Sequence, residues 1–577
     1  MAGGGSGSHA LGLLVRVIVL SRLKRRLRPR KDTMPHPRQT SEHQIRLAAL
    51  VAALSLATDL GMGQPMEQAL RTCLLSINIG RELRLNDEQL SNVYYLALLR
   101  FVGCTSDAHE QAAQVGGDEI AHRAGLATVL MGEPSEFMGH MMRHFATGSR
   151  PLTRLRLFAG AMAGGTREPK RSIALHCEVA QVLAARMGLR AAVGQDVGHV
   201  FERWDGRGLP GELSGEAIPI AARVVAVTRD VDVFHGLGGW ELVAQVLRRR
   251  RAKAYDPSVV DVVLDRGESW LAATRDESVW ERVLDVEPEP CIRVAEAELG
   301  NVLRAFAEFA DLKSPFTAGH SLGVARLAEG AARHAGLGES ECVDLRRAAL
   351  VRDLGRTGIP NGIWDRPGAL SAIEWERVRL HPYLTERMLS HAETLQRLAP
   401  LAGSHHERLN GSGYYRQASG PSLPFPARLL AAADAYQAMT QERPHRPALA
   451  PDAAAQELNA ETRSGCLDPG AVRAVRAAAG HPASQRATWP AGLTDREVEV
   501  LRLIAQGHSY RQVAKHLTIT PQDGRAPHRA HLQQDRRLGA RLCCPLRHGA
   551  RSHPALITAI LRNGVYPRCH AGVTNLC

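Results

Sequence analysis

A duplicated pattern constrains this chain of 577 residues more than its composition does. Phe201 to Val227, FERWDGRGLPGELSGEAIPIAARVVAV, runs without a gap against His406 to Ala432, HERLNGSGYYRQASGPSLPFPARLLAA. Gly206, Gly208, Gly215 and Arg223 fall opposite Gly411, Gly413, Gly420 and Arg428. His176 lies thirty residues before Gly206, and His381 lies thirty before Gly411. Further upstream, LRLNDEQLSNVYYLALLRFVGC pairs with AGLGESECVDLRRAALVRDLGR, which sets Arg100 and Phe101 opposite Arg352 and Asp353. Helical periods with short breaks run through both copies, and aromatic residues are sparse. The expected fold is therefore all-α, with one helical module present twice. A chain of this length exceeds what one core supports, so two to four domains are expected.

The copies differ in chemistry. His405, His406, Asp353 and Asp434 of the second face Val200, Phe201, Phe101 and Arg229 of the first, and His320 faces the neighbourhood of Glu67. Of these polar positions only His176 persists in the first copy, which also carries a long insertion between Cys104 and His176. The first copy reads as a non-catalytic sensory, dimerising or scaffolding module, with His176 an ordinary surface or core histidine.

The second copy gathers His320 in SPFTAGHS, Asp353 in VRDLGRTGIP, His381 in RLHPYLTERML, the adjacent His405 and His406, and Asp434 in AAADAYQAMT. Imidazole nitrogens and carboxylates around one site suit divalent iron, manganese or zinc, and two such ions can share a bridging carboxylate. Such sites hydrolyse phosphate esters by lowering the pKa of bound water and neutralising phosphoryl charge. In order and spacing these segments resemble the HD-GYP branch of the HD phosphohydrolase superfamily, bacterial enzymes that open and degrade cyclic di-GMP. The resemblance covers Leu299 to Met439 strongly and the first copy weakly. It implies tandem HD-type modules in which His320, Asp353, His381, His405, His406 and Asp434 are metal ligands. It also places Asp353 in the catalytic centre, with Arg356 at the family's phosphate-contacting lysine position.

Three departures qualify that implication. The histidine of the HD dyad is Arg352, a cation that does not deprotonate. Pointed into a two-metal site, its guanidinium repels both ions unless it swings out to solvent. Arg356 keeps the lysine's charge but presents a fork in place of a point charge. The glycine loop reads Gly413, Tyr414, Tyr415 where the family has Gly-Tyr-Pro. The expectation is a retained fold with a single metal, at or below one equivalent, and poor hydrolysis of the dinucleotide. A purely non-catalytic module that senses nucleotide or mediates dimerisation is the alternative.

After the bend RPHRPALAP and a helical stretch through His481 comes WPAGLTDREVEVLRLIAQGHSYRQVAKHLTITPQ. Thr494 and Glu497 form a capping box, and Val498, Leu501, Leu503 and Ile504 supply a buried stripe that Gly507 ends. Ser509 caps a shorter helix with Val513, Ala514 and Leu517 inward. This resembles the LuxR-type DNA-binding domain, and by that resemblance Ser509, Arg511, Gln512 and Lys515 are the DNA-facing residues. The next helix of that family, which enters the major groove, is missing: from Gly524 the text is Arg-rich, without helical period. Read one base on, the codons for Ala526 to Pro554 permit a text that resembles the lost helices. The expectation is a frame change, specific DNA reading lost, and salt-sensitive phosphate binding retained. The alternative is a genuine basic arm.

The domain limits read from these features are 1–40, a basic N-terminal extension; 41–250, a degenerate HD-like module; 251–298, a helical connector; and 299–450, the HD-GYP-like module. A linker at 451–489, half of a helix-turn-helix at 490–523 and the aberrant tail at 524–577 complete the list. The formal charge of +13 favours an acidic partner, nucleic acid first. Ten cysteines without CxxC pairs fit a reducing cytoplasm. The N-terminal apolar run, broken by Arg16, is too short to span a bilayer and leaves translation starting at Met1 or Met34. Cyclic dinucleotide, DNA and a second copy of the chain are the expected partners.

Overall fold

The computed structural model describes residues 44–482, with breaks at 131, 146–150, 165–166 and 274–277, together with Leu503 and Gln512 taken singly. The chain divides into two units, one holding everything up to His481 and the other running from Pro482 to Asn575. The described first unit is helical apart from a small antiparallel pair, β1 (Gln44–Arg46) and β2 (Arg293–Ala295), in which Ile45 faces Val294. That pair joins the start of the first module to the start of the second.

The first module opens with α1 (Leu47–Gly61), followed by α2 (Gln68–Glu82), α3 (Asp87–Leu99) and α4 (Glu119–Leu126). Asn86 starts α3 by accepting from the Gln89 amide, while the Gln89 side chain returns to the Asn86 amide. Such a cap is worth about 1 kcal/mol. Helix α1, LAALVAALSLATDLG, is apolar on nearly every face and buried along its length, as expected of a helix enclosed by protein on all sides. One reason is that it touches both modules: Thr357 of the second donates to the Ala57 carbonyl of α1 at 3.1 Å. The module continues through α5 (Arg167–Arg186) and α6 (Ile220–Arg250), the latter broken at Gly238 and Gly239.

The second module repeats the plan with α7 (Leu299–Asp311), α8 (His320–His334), α9 (Glu339–Val351), the short α10 (Asn361–Trp364), α11 (His381–Leu389) and α12 (Phe425–Met439). Phe306 and Phe309 of α7 are fully buried, each contributing about 1.5–3 kcal/mol of transfer free energy. One apolar core runs through both modules.

The duplication extends to backbone detail. A Cβ on Gly103 would lie 1.9 Å from the His176 carbonyl oxygen, and one on Gly355 would lie 2.0 Å from that of His381. Only glycine permits either approach. Helix α2 is entered through Glu67 at φ 72° and α8 through Gly319 at φ 73°. Asp59 accepts from the Ala69 amide as Asp311 does from the Ser321 amide. These matches place Gln68, the neighbour of Glu67, opposite His320. Arg223 pairs with Asp256 and Arg428 with Asp468. The stretch from 451 holds α13 (Pro451–Arg463) and α14 (Pro469–Ala478); α14 packs on α8 and α12. The N-terminal extension, the helix-turn-helix and the Arg-rich tail lie outside the described residues, the two single positions excepted.

Candidate metal centre

The fold brings all six expected ligands together. His320 begins α8, Asp353 follows α9, His381 begins α11, His405 and His406 follow a short turn of helix, and Asp434 lies within α12. None is more than 5 % exposed. They form two triplets, His381, His405 and His406 in one and His320, Asp353 and Asp434 in the other, with ligand atoms within 4.8 Å of one another in each. Both triplets belong to the second module; among the described residues the first module has none.

Two histidines of the triplet are oriented by backbone. Nδ1–H of His381 donates to the Val378 carbonyl at 2.6 Å, and Nδ1–H of His405 to the Ala402 carbonyl at 2.7 Å. This fixes the tautomers and turns both Nε2 lone pairs inward, 3.1 Å apart. Asp353 Oδ1 stands 3.7 Å from one and 3.5 Å from the other, buried and without a hydrogen-bond donor. Three electron pairs thus converge where no proton separates them, an arrangement that a divalent cation neutralises. Burial, then the neighbouring His405, lowers His381 to about 3, so the ring is neutral and able to ligate at pH 7. Burial and His405 likewise hold His406 well below the usual histidine range. The donor set fits one such ion.

The carboxylate triplet is different, because Arg352 sits inside it. The sequence allowed for its guanidinium to swing out to solvent; instead it is 0 % exposed. Nε donates to Asp434 Oδ1 at 2.9 Å, and Nη2 lies 2.8 Å from that atom and 3.1 Å from Asp353 Oδ2. Nη1 donates to the Ala349 carbonyl at 2.8 Å. Burial would raise both acids, but Arg352 holds them well below the ordinary carboxylate range. Nε2 of His320 is 3.3 Å from Asp434 Oδ1, while its Nδ1 meets Gln441 Oε1 at 2.8 Å. Burial and then Arg352 bring His320 down to about 4. A guanidinium already bridging these two carboxylates does not fit alongside a second divalent ion. The first module carries the same replacement: Arg100 lies 5.2 Å from the Phe101 ring centre and 5.7 Å from that of Phe201.

Two further guanidiniums border the site. Arg356 Nη1 is 4.0 Å from Asp353 Oδ2, and its Cζ lies 3.8 Å over the Trp364 ring, a cation–π contact. Trp364 also packs edge-on to His381 at 5.3 Å. Arg443 is 4 % exposed, donates to the Phe316 carbonyl at 2.8 Å and lies 3.5 Å from His320 Nδ1. Tyr414 stacks on His406 at 4.8 Å. Sequence reading missed Arg443 and Trp364; the position of Arg443, nine residues after Asp434 in QERPHR, was the available signal. Of the DNA-facing candidates, Ser509, Arg511 and Lys515 lie outside the described residues, and Gln512 is an exposed helical residue.

Comparison with known proteins agrees with this geometry. The HD domain model matches residues 163–259 and again 304–470, the duplication seen in the sequence. Over 435 residues the chain is 30 % identical to the 3'3'-cGAMP-specific phosphodiesterase 3 of Vibrio cholerae, covering 75 % of this chain and 94 % of that protein. The chain belongs to the HD-GYP family. A crystal structure of the cyclic GMP-AMP-specific phosphodiesterase of V. cholerae superimposes with a TM-score of 0.54 at 27 % identity, covering 76 % of this chain and 98 % of that one. A cyclic di-GMP phosphodiesterase response regulator of Xanthomonas campestris is 31 % identical over 35 % of this chain and 54 % of its own length. To its HD-GYP part this chain adds a match to the bacterial regulatory proteins of the luxR family at 491–533. No helix among the described residues is long and apolar enough to cross a membrane.

Proposed function

We propose that this protein is a cytoplasmic bacterial regulator that binds a cyclic dinucleotide in its second module, hydrolyses it slowly or not at all, and works through its LuxR-type segment on DNA. The observation that carries this reading is Arg352, fully buried between Asp353 and Asp434. Relatives named as phosphodiesterases of cyclic di-GMP and 3'3'-cGAMP supply the ligand class.

In this reading His381, His405, His406 and Asp353 hold one divalent ion, iron, manganese or zinc. Such an ion supplies Lewis acidity toward a phosphoryl oxygen and an activated water. Arg356 and Arg443 contribute fixed positive charge for phosphate, and Trp364 keeps the Arg356 fork in place. Arg352 supplies the charge of the missing second ion, but it binds no water and lowers no pKa as a metal does. Ligand binding thereby survives better than turnover. The paired modules form the sensor, a homodimer its expected assembly.

Metal analysis of the purified chain and turnover of cyclic di-GMP and 3'3'-cGAMP, side by side with R352H, test the proposal. The expected result is at most one metal equivalent and little turnover, with both rising in R352H. Two equivalents and turnover at rates of about 1–10³ s⁻¹, ordinary for enzymes, would overturn it.

A further inference from the structure

The insertion of the first module, absent from the second, reaches the catalytic-type site of its neighbour through Glu119. Glu119 begins α4 and is 0 % exposed; Lys313 of the second module, 2 % exposed, donates to it at 2.7 Å. Its carboxylate also accepts the backbone N–H of Asn361, at 3.1 and 2.9 Å, at the start of α10. Asn361 then donates to the Lys313 carbonyl at 2.6 Å and to Asp365 at 2.9 Å. Ser314 donates to Asp365 at 2.6 Å, and His109 of the insertion meets the same carboxylate at 2.8 Å. Beside them the backbones of Gly117 and Gly362 touch, with the Gly362 N–H donating to the Gly117 carbonyl at 2.9 Å.

The two segments gathered by Glu119 are the ones that touch the outer arginines. Trp364, at the end of α10, lies under the Arg356 guanidinium at 3.8 Å and donates to the Arg356 carbonyl at 3.3 Å. Phe316, three residues past Lys313, offers its carbonyl to Arg443 at 2.8 Å. A carboxylate from one module therefore ties together the two segments that touch these cations in the other.

We propose that Glu119 is a positioning residue for the phosphate-holding pair Arg356 and Arg443, and that the first module thereby sets the anion affinity of the second. The dinucleotide used in the test rests on the function proposed above; the placement of the arginines does not.

The test measures binding of cyclic di-GMP and, separately, of inorganic pyrophosphate to the full chain by calorimetry. In E119L/K313M both buried charges go together, the change a buried ion pair tolerates best. The expected result is unchanged metal content and about tenfold weaker binding of both ligands. In an R356A background the same replacement should cause a smaller further loss, since the part of the effect that acts through Arg356 is already gone and only the part through Arg443 remains. Should the double variant not fold, E119Q carries the same comparison, because it removes the charge and keeps an acceptor for the Asn361 amide. Unchanged affinity, or a loss that adds in full to that of R356A, would overturn the proposal. Pyrophosphate binding without dinucleotide binding in the parent removes the dinucleotide reading and leaves the comparison to pyrophosphate. A parent that binds neither overturns both.

Discussion

At the scale of single residues, Arg352 decides more than any ligand. Its guanidinium compensates two carboxylates that are 3 % and 5 % exposed, and removing one member of a buried ionic group leaves the others unpaired. R352A should lose about 3–5 kcal/mol of stability in metal-free buffer, read from denaturant unfolding. Added manganese should restore part of that loss, since a ligand bound only by the native state stabilises it by mass action; a variant as stable as the parent would contradict the assignment. His405 makes the complementary case. Its Nε2 is one of three convergent lone pairs, so H405A should reduce the metal content of the purified protein to background, and metal retained in full would show that the ion sits elsewhere.

Between elements of the second module, the tightest glycine approach is that of Gly355 to α11. A Cβ there meets the His381 carbonyl oxygen at 2.0 Å, so G355A must push away the turn that aims His381. Overpacking of this kind costs about 1–3 kcal/mol, and thermal unfolding together with metal content should fall in parallel. In the first module the equivalent turn is held by an ion pair. His176 Nε2 lies 2.8 Å from Asp107, which also pairs with Arg123 at 3.1 Å. Burial opposes the charge on His176, but Asp107 outweighs it and raises the ring from 6.5 to about 10. The stability this gives is complete below pH 6.5 and is lost as pH rises through about 10. Asp107 is depressed, so its share holds above its ordinary value of 3.8 and is lost as pH falls below it. Melting temperature should therefore decline between pH 6.5 and 10, and H176Q should flatten that decline; an equal slope in both proteins would remove His176 as its source.

For the whole molecule, the division at His481 separates two sets of properties. A chain ending at residue 481 should melt as the first unit of the full protein does and should lose DNA retention. The full chain should bind DNA with little sequence preference and with a steep fall in affinity as salt rises, because arginine contacts to phosphate release counterions. Footprinting that reveals a defined sequence, with weak salt dependence, would show that base-reading groups remain.

The sequence by itself determined the duplication, the all-α character and the six donor residues, because glycine spacing, helical period and residue type are local properties of the text. Gly206 and Gly411 announce their shared turn without any tertiary information. The direction of Arg352 was not legible. A side chain with four rotatable bonds points wherever the surrounding charges are most favourable, and those charges come from Asp353 beside it and from Asp434 on another helix. The roles of Arg443 and Glu119 were hidden for the same reason, since each acts on a partner distant in sequence, 127 and 194 residues away. The Val378 and Ala402 carbonyls aim their lone pairs locally, each from three residues back, but the two rings meet only once α11 has packed beside the turn that carries His405. The donors were written in the chain; their convergence, and the cation placed among them, were decided by the packing of buried helices, where an unpaired charge costs too much to leave.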